Sequence, residues 1–127
     1  HHNLTHNEGG EQPEVHDATL AVMDELAYLL DVLDAVDEGD GTLLDHSLVM
    51  ACSEISEGRT HRLDEMPLLL AGGACGKLVV GSHVRSQGNE NVNHAVLSIL
   101  RAFDLSLATW GADDTVVDTG FSPLEAG

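Results

Sequence analysis

The stretch LLDHSLVMACS, residues 43–53, decides how this chain is read. It is apolar without interruption from Leu48 to Cys52, and a run of that length has the signature of a strand buried on both faces. Such a strand needs helices to cover its sheet, and the preceding segment supplies one. Val22, Leu26, Leu29 and Leu33 recur at helical spacing, with Met23, Leu30 and Val32 widening the stripe and Asp24, Glu25, Asp31 and Asp34 on other faces. A long amphipathic helix is therefore expected from about Val15 to Val36. The Asp-Glu-Gly-Asp-Gly stretch at 37–41 should stop it in a turn.

Downstream of the decisive stretch, a polar segment from Glu54 to Glu65 leads into MPLLLA, residues 66–71. This second strand-like run ends at Gly72-Gly73, and Lys77 to Val80 is a candidate third. Asn91 to Phe103 reads as a helix with Val92, Val96, Ile99, Leu100 and Phe103 on one side and Asn91 or Asn93 as cap. His1 to Glu14, with Gly9, Gly10 and Pro13, reads as loop, and the chain beyond Asp104 carries mixed signals. Helix, buried strand, strand and helix in that order argue for an α/β architecture, a layered sheet flanked by helices, within one domain spanning 1–127.

The chain is 43% hydrophobic, enough to fold, but only 3% aromatic, so its core must be made of Leu, Val, Ala and Ile. Asp and Glu number 22 against 5 Lys and Arg, giving a formal net charge of -17. That field repels phosphate backbones and anionic lipid, so nucleic acid is not an expected partner. The acids are scattered along the whole chain, as on a salt-adapted surface, and screening by salt should stabilise the fold. No apolar run approaches a membrane span, so no membrane insertion is expected. The first residue is His1 rather than a methionine and no signal peptide is visible, which reads as the C-terminal part of a longer protein whose N-terminal half is the expected partner. Cys52 reads as a small buried hydrophobe and Cys75 as a loop residue; their spacing makes neither a disulfide framework nor a zinc finger, and a disulfide between the two stays open.

Two groups of side chains have the chemistry of metal ligands. His2 and His6 precede the long helix, and Cys52-Ser53-Glu54 through His61 follow the central strand, where open α/β sheets place their sites. Imidazole and carboxylate together suit zinc, iron or manganese. The four-residue spacing of His2 and His6 puts both rings on one face only in a helix, and Gly9-Gly10 argues against one. Each ligand has a plainer reading: the histidines as hydrogen-bonding loop residues, and Glu54 as a loop-ordering carboxylate. His46 reads as a turn residue before the strand, and His16 and His94 as polar residues at helix starts. His83 and Arg85 are candidates to bind an anion, with a plain surface loop as the alternative. Gly72, Gly73 and Gly76 are followed by no phosphate-loop Lys-Ser/Thr, so a turn after a strand is the better reading.

HNLTHN at 2–7 resembles the motif of the HXXSHH family, bacterial proteins of unknown function usually exported by the twin-arginine route. The resemblance continues in order through AYLLDVLDAVDEGDGTLLDHSLVM (27–50), SEISEGRTH (53–61), MPLLLAGG (66–73) and GSHVR (81–85), and weakens after Phe103. Thr5 stands where the family has Ser, and Asn7 replaces the final His. A looser similarity links the pattern to the C-terminal half of alkaline phosphatase and sulfatase-like enzymes. There a strand ends in a Ser-Asp-His type of triplet, matched in position by Cys52-Ser53-Glu54, with Ile55 where the His would be. These resemblances imply an alkaline-phosphatase-like fold, a periplasmic or secreted location, and a metal-dependent, hydrolase-like function. They also imply a divalent metal held by His2, His6, Glu54 and His61, with Thr5 and Ser53 orienting the ligands and the nucleophile supplied by the N-terminal half. The rival expectation is a non-catalytic secreted binding or structural domain that kept the fold and lost the site.

Overall fold

The computed structural model describes residues 2–7, 9–88 and 90–126. Among these the chain is mixed α/β. Its helices are α1 (His2–Asn7), α2 (Pro13–Asp34), α3 (Leu43–His46) and α4 (Asn93–Ala102); its strands are β1 (Val49–Cys52) and β2 (Leu68–Ala71). The two strands pair as an antiparallel two-stranded sheet. Short 3-10 turns lie at Ala74–Gly76, Asp113–Thr115 and Ser122–Leu124. The chain gathers into two compact units: 1–43 with 50–70, and 44–49 with 71–127.

The first unit is organised by α2. Pro13 opens it, where a missing N–H costs nothing, and Glu14 sits in the first turn. It ends where the sequence places a turn: Glu38 N–H donates to the Gly41 carbonyl, Gly39 N–H to Asp37 Oδ1, and Gly39 holds a φ of 93° that favours glycine. An Asp37–Thr42 bridge closes this turn. The expected apolar stripe is only partly used. Leu26 and Leu33 are half-buried, but Val22 and Leu29 are exposed, and no residue of α2 is fully buried.

The decisive stretch also divides differently from its reading. Leu43 to His46 is helical, and β1 alternates half-buried Val49 and Ala51 with exposed Met50 and Cys52. A strand in a two-stranded sheet has one neighbour, and here nothing among the described residues covers one of its faces. The expectation of a strand buried on both faces is corrected to a half-exposed one, and Cys52 is an exposed free thiol, as is Cys75.

The second unit contains the buried core: Ala74, Leu78, Ala95, Leu97 and Val117, with Ser98 the buried polar residue. Gly72, at φ 98°, turns the chain out of β2 so tightly that a Cβ there would lie 2.5 Å from the Ser47 carbonyl oxygen. The Leu44 and Ser47 carbonyls accept from Gly73 and Ala74. The glycines thus serve a turn after a strand. Lys77–Val80 forms no strand; Leu78 makes a single bridge to Glu125. Asn91 Oδ1 accepts the Asn93 N–H at the start of α4. The buried face of α4 is Ala95, Leu97 and Ser98, not the side of Val92 and Phe103, which are exposed. The reason lies in the tail. Phe121 N–H donates both to the His94 carbonyl and to Ser98 Oγ, and Ser98 Oγ donates to Glu125 Oε1 at 2.8 Å, drawing residues 117–125 over that side.

Candidate functional site

Residues 2–7 form a helix, contrary to the loop expected there. Gly9 and Gly10 lie beyond its end and stop it, so they do not forbid it. His2 and His6, four residues apart, therefore share a face, and their ring centroids stand 4.7 Å apart edge to face. Thr5 Oγ1 donates to the His2 carbonyl at 2.8 Å, and Asn7 Nδ2 donates to the Asn3 carbonyl at 2.8 Å. Both short polar side chains bond back into their own helix.

The partner of this face is the segment after β1. Ser56 N–H and Oγ both donate to the Arg62 carbonyl, at 2.8 and 3.0 Å, and a Glu57–Arg62 bridge closes a tight loop over Gly58 to His61. His61 takes a left-handed φ of 56° to complete the turn, a conformation that histidine tolerates better than most side chains. Gly58 brings the loop against α1: a Cβ there would lie 2.5 Å from Thr5 Cβ. This close approach sets His61 Nε2 3.0 Å from His6 Nε2, across 55 residues of sequence, with ring centroids 4.9 Å apart.

The turn is held by charge as well. Thr60 Oγ1 donates to Glu57, and this bond holds the Glu57 carboxyl below its ordinary pKa. Arg62 grips Asp64 through two nitrogens. That contact lowers the Asp64 pKa and raises that of Arg62.

Of the expected ligands, the structure sets His6 against His2 on one side and His61 on the other. Glu54 is exposed, and among the described residues no group of three or more His, Cys, Asp and Glu is placed to hold a metal ion. The expected orienting hydroxyls have other partners, Thr5 on the His2 carbonyl and Ser53 Oγ accepting from the Ile55 N–H at 3.3 Å. His83 and Arg85 are both exposed, in a stretch without regular structure. Two features of the site escaped the sequence reading. The helix at 2–7 lies where a loop is expected, because Gly9 and Gly10 read as excluding a helix rather than ending one. The closeness of Gly58 to Thr5 left no trace in either segment alone.

Two imidazole nitrogens 3.0 Å apart fit either of two arrangements. One is an N–H···N hydrogen bond, which requires one ring to carry its proton on Nε2 and the other to leave Nε2 bare. The other is adjacent coordination, since ligands at about 2.0–2.1 Å from a single ion stand roughly 3 Å apart. Imidazole donors suit zinc or iron, whereas manganese calls for carboxylate oxygens as well.

Compared with known protein families, curated proteins and solved structures, the chain matches none. No described helix is long and apolar enough to cross a membrane.

Proposed function

We propose that this chain carries one wall of a divalent-metal site in an exported, hydrolase-like protein of the HXXSHH kind. The observation that carries the reading is the approach of His6 Nε2 to His61 Nε2 at 3.0 Å between segments far apart in sequence. His6 and His61 are the ligands proposed, and His2, its ring against that of His6, is the next donor within reach. The remaining donors are assigned to the upstream half of the protein, outside this chain, as the family resemblance implies. When bound, such an ion acts as a Lewis acid or activates water. The chain's own residues supply rigid placement: α1 fixes one ring, and the Gly58 turn fixes the other.

The nucleophile is assigned to the same outside segment. The hydroxyls closest in sequence to the ligands are Thr5, Ser53, Ser56 and Thr60. Thr5 and Ser56 are bonded to backbone carbonyls and Ser53 to a backbone N–H. Thr60 Oγ1 donates to the Glu57 carboxylate beside it in the turn.

The rival reading, a non-catalytic binding domain, is favoured by Asn7 in place of the family's final His and by Ile55 where the Ser-Asp-His type of triplet has its His. Titration of the 127-residue chain with cobalt(II), read by visible absorption, separates the two. Binding that is lost in both His6→Ala and His61→Ala and kept in Glu54→Gln supports the metal site. Absence of binding to the unaltered chain, or binding indifferent to both histidine substitutions, leaves the rival.

A further inference from the structure

The chain's longest helix presents a face that its own fold leaves open. α2 turns Leu26, Leu30 and Leu33 inward as half-buried residues, whereas Val22 is 60%, Leu29 44%, Val32 44% and Tyr28 67% exposed. Leu20 and Met23, also exposed, lie on the opposite side of the helix, but the four named share one side. At 100° per residue, Ala21, Val22, Tyr28, Leu29 and Val32 fall within one sector, and residue 25 lies at its middle. The rows 21–25–28–32 and 22–25–29–32 both pass through it at the spacing of a helix-packing seam. That residue is Glu25, and it makes no hydrogen bond or ion pair among the described residues. A carboxylate ringed by Val, Leu and Tyr is tolerable only while water reaches it; once covered, it needs a cation.

We propose that this face docks an amphipathic helix of a separate protein, one with an apolar seam that places a Lys or Arg opposite Glu25. Charge selects this occupant. α2 contains six acidic residues, Glu14, Asp17, Asp24, Glu25, Asp31 and Asp34, and no Lys or Arg. A second copy would bring another Glu25 into the same apolar patch with no basic residue on either helix to neutralise it, against a net charge of -17 on each chain. An anionic lipid surface is repelled for the same reason. A basic helix is drawn in by the field and then fixed in register by one central ion pair within an apolar seam, which is how helix pairs gain specificity.

The test uses the full 127-residue chain and three synthetic helical peptides with the same Leu/Val seam, carrying Lys, Met or Glu at its centre. Binding is read by fluorescence anisotropy at physiological salt. The Lys peptide should bind at least ten-fold more tightly than the Glu peptide, with Met between. Glu25→Lys should invert that order, and Leu29→Asp should weaken binding of the Lys peptide by at least ten-fold. Helical content is measured first by circular dichroism, and Val32→Ser replaces Leu29→Asp if the latter unfolds. Equal affinity for all three peptides, failure of Glu25→Lys to invert the order, or binding unaffected by the seam variants overturns the proposal. So does sedimentation of the free chain as a dimer that Val22→Asp dissociates, which makes a second copy the occupant. Retention on lipid vesicles in preference to the Lys peptide overturns it as well.

Discussion

The two units of this chain treat hydrophobic residues in opposite ways. The unit formed by 44–49 and 71–127 contains every fully buried residue among those described, and Leu97 at its centre is 0% exposed. The unit formed by 1–43 and 50–70 has the longest helix and the more conspicuous apolar periodicity, yet none of its described residues is fully buried. Periodicity states which side chains share a face. It does not state whether anything lies against that face, and for α2 and β1 much of it stays open.

The largest test of this contrast is a pair of truncations. Leu97→Ala should destabilise the chain by about 2–5 kcal/mol, the range for emptying a closed core site. Leu26→Ala, on the half-buried side of α2, should cost less than half as much, because water already reaches the site and no closed cavity is left. Urea unfolding of both variants decides the matter. Equal losses would show that α2 is covered in solution by something the isolated chain acquires, such as another molecule.

The same contrast explains what could be read in advance. The long helix, expected from about Val15 to Val36 and found at Pro13–Asp34, was legible because its apolar spacing and its Asp-Glu-Gly-Asp-Gly stop agree; Pro13, read as loop, begins it. The strands at 49–52 and 68–71 were legible as strands, but not in their burial: an apolar run looks the same whether one face or two is covered. On α4, the tail rather than the helix chose the buried side, through Ser98, which any apolar pattern passes over. His6 and His61 were both candidates by residue type, but their meeting depends on a glycine with no side chain to betray it.

A second test asks whether the histidine pair depends on that glycine. In Gly58→Ala the new methyl would lie 2.5 Å from Thr5 Cβ and 2.8 Å from its Oγ1, so α1 must move away. Overpacking of this kind costs about 1–3 kcal/mol where the structure cannot yield. Here the cost is limited, because a six-residue helix can lift off instead. The expected result is a small loss of global stability with loss of the His6–His61 contact, seen as missing cross-peaks between the two imidazole rings in NMR spectra. Gly9→Ala is the control, since a Cβ there meets nothing within 4 Å. Retention of the contact in Gly58→Ala would show that the rings find each other without the close approach.

The smallest effect, and the one that separates the units by mechanism, is the acid response of the turn at 57–64. Glu57 and Asp64 are held below their ordinary pKa values of 4.5 and 3.8, the first by the Thr60 hydroxyl and the second by Arg62. A carboxyl of this kind binds fewer protons folded than unfolded. Its stabilising contribution is therefore complete above the ordinary value and disappears as pH falls through the lower, folded one. The upward shift of Arg62 is the same contact seen from its partner, and the guanidinium itself does not titrate in acid. All three groups are exposed to solvent, which screens their contacts, so the change in stability should be slight. It should also be specific. Between pH 5 and pH 3 the thermal midpoint of the unaltered chain should fall further than that of Glu57→Gln with Asp64→Asn, because the double variant has already lost the groups that titrate. Leu97→Ala, which removes only apolar contact, should fall in parallel with the unaltered chain. If the double variant also falls in parallel, the turn that holds His61 is set by its backbone bonds to Arg62 and its close fit to α1, and its charges contribute nothing to the fold.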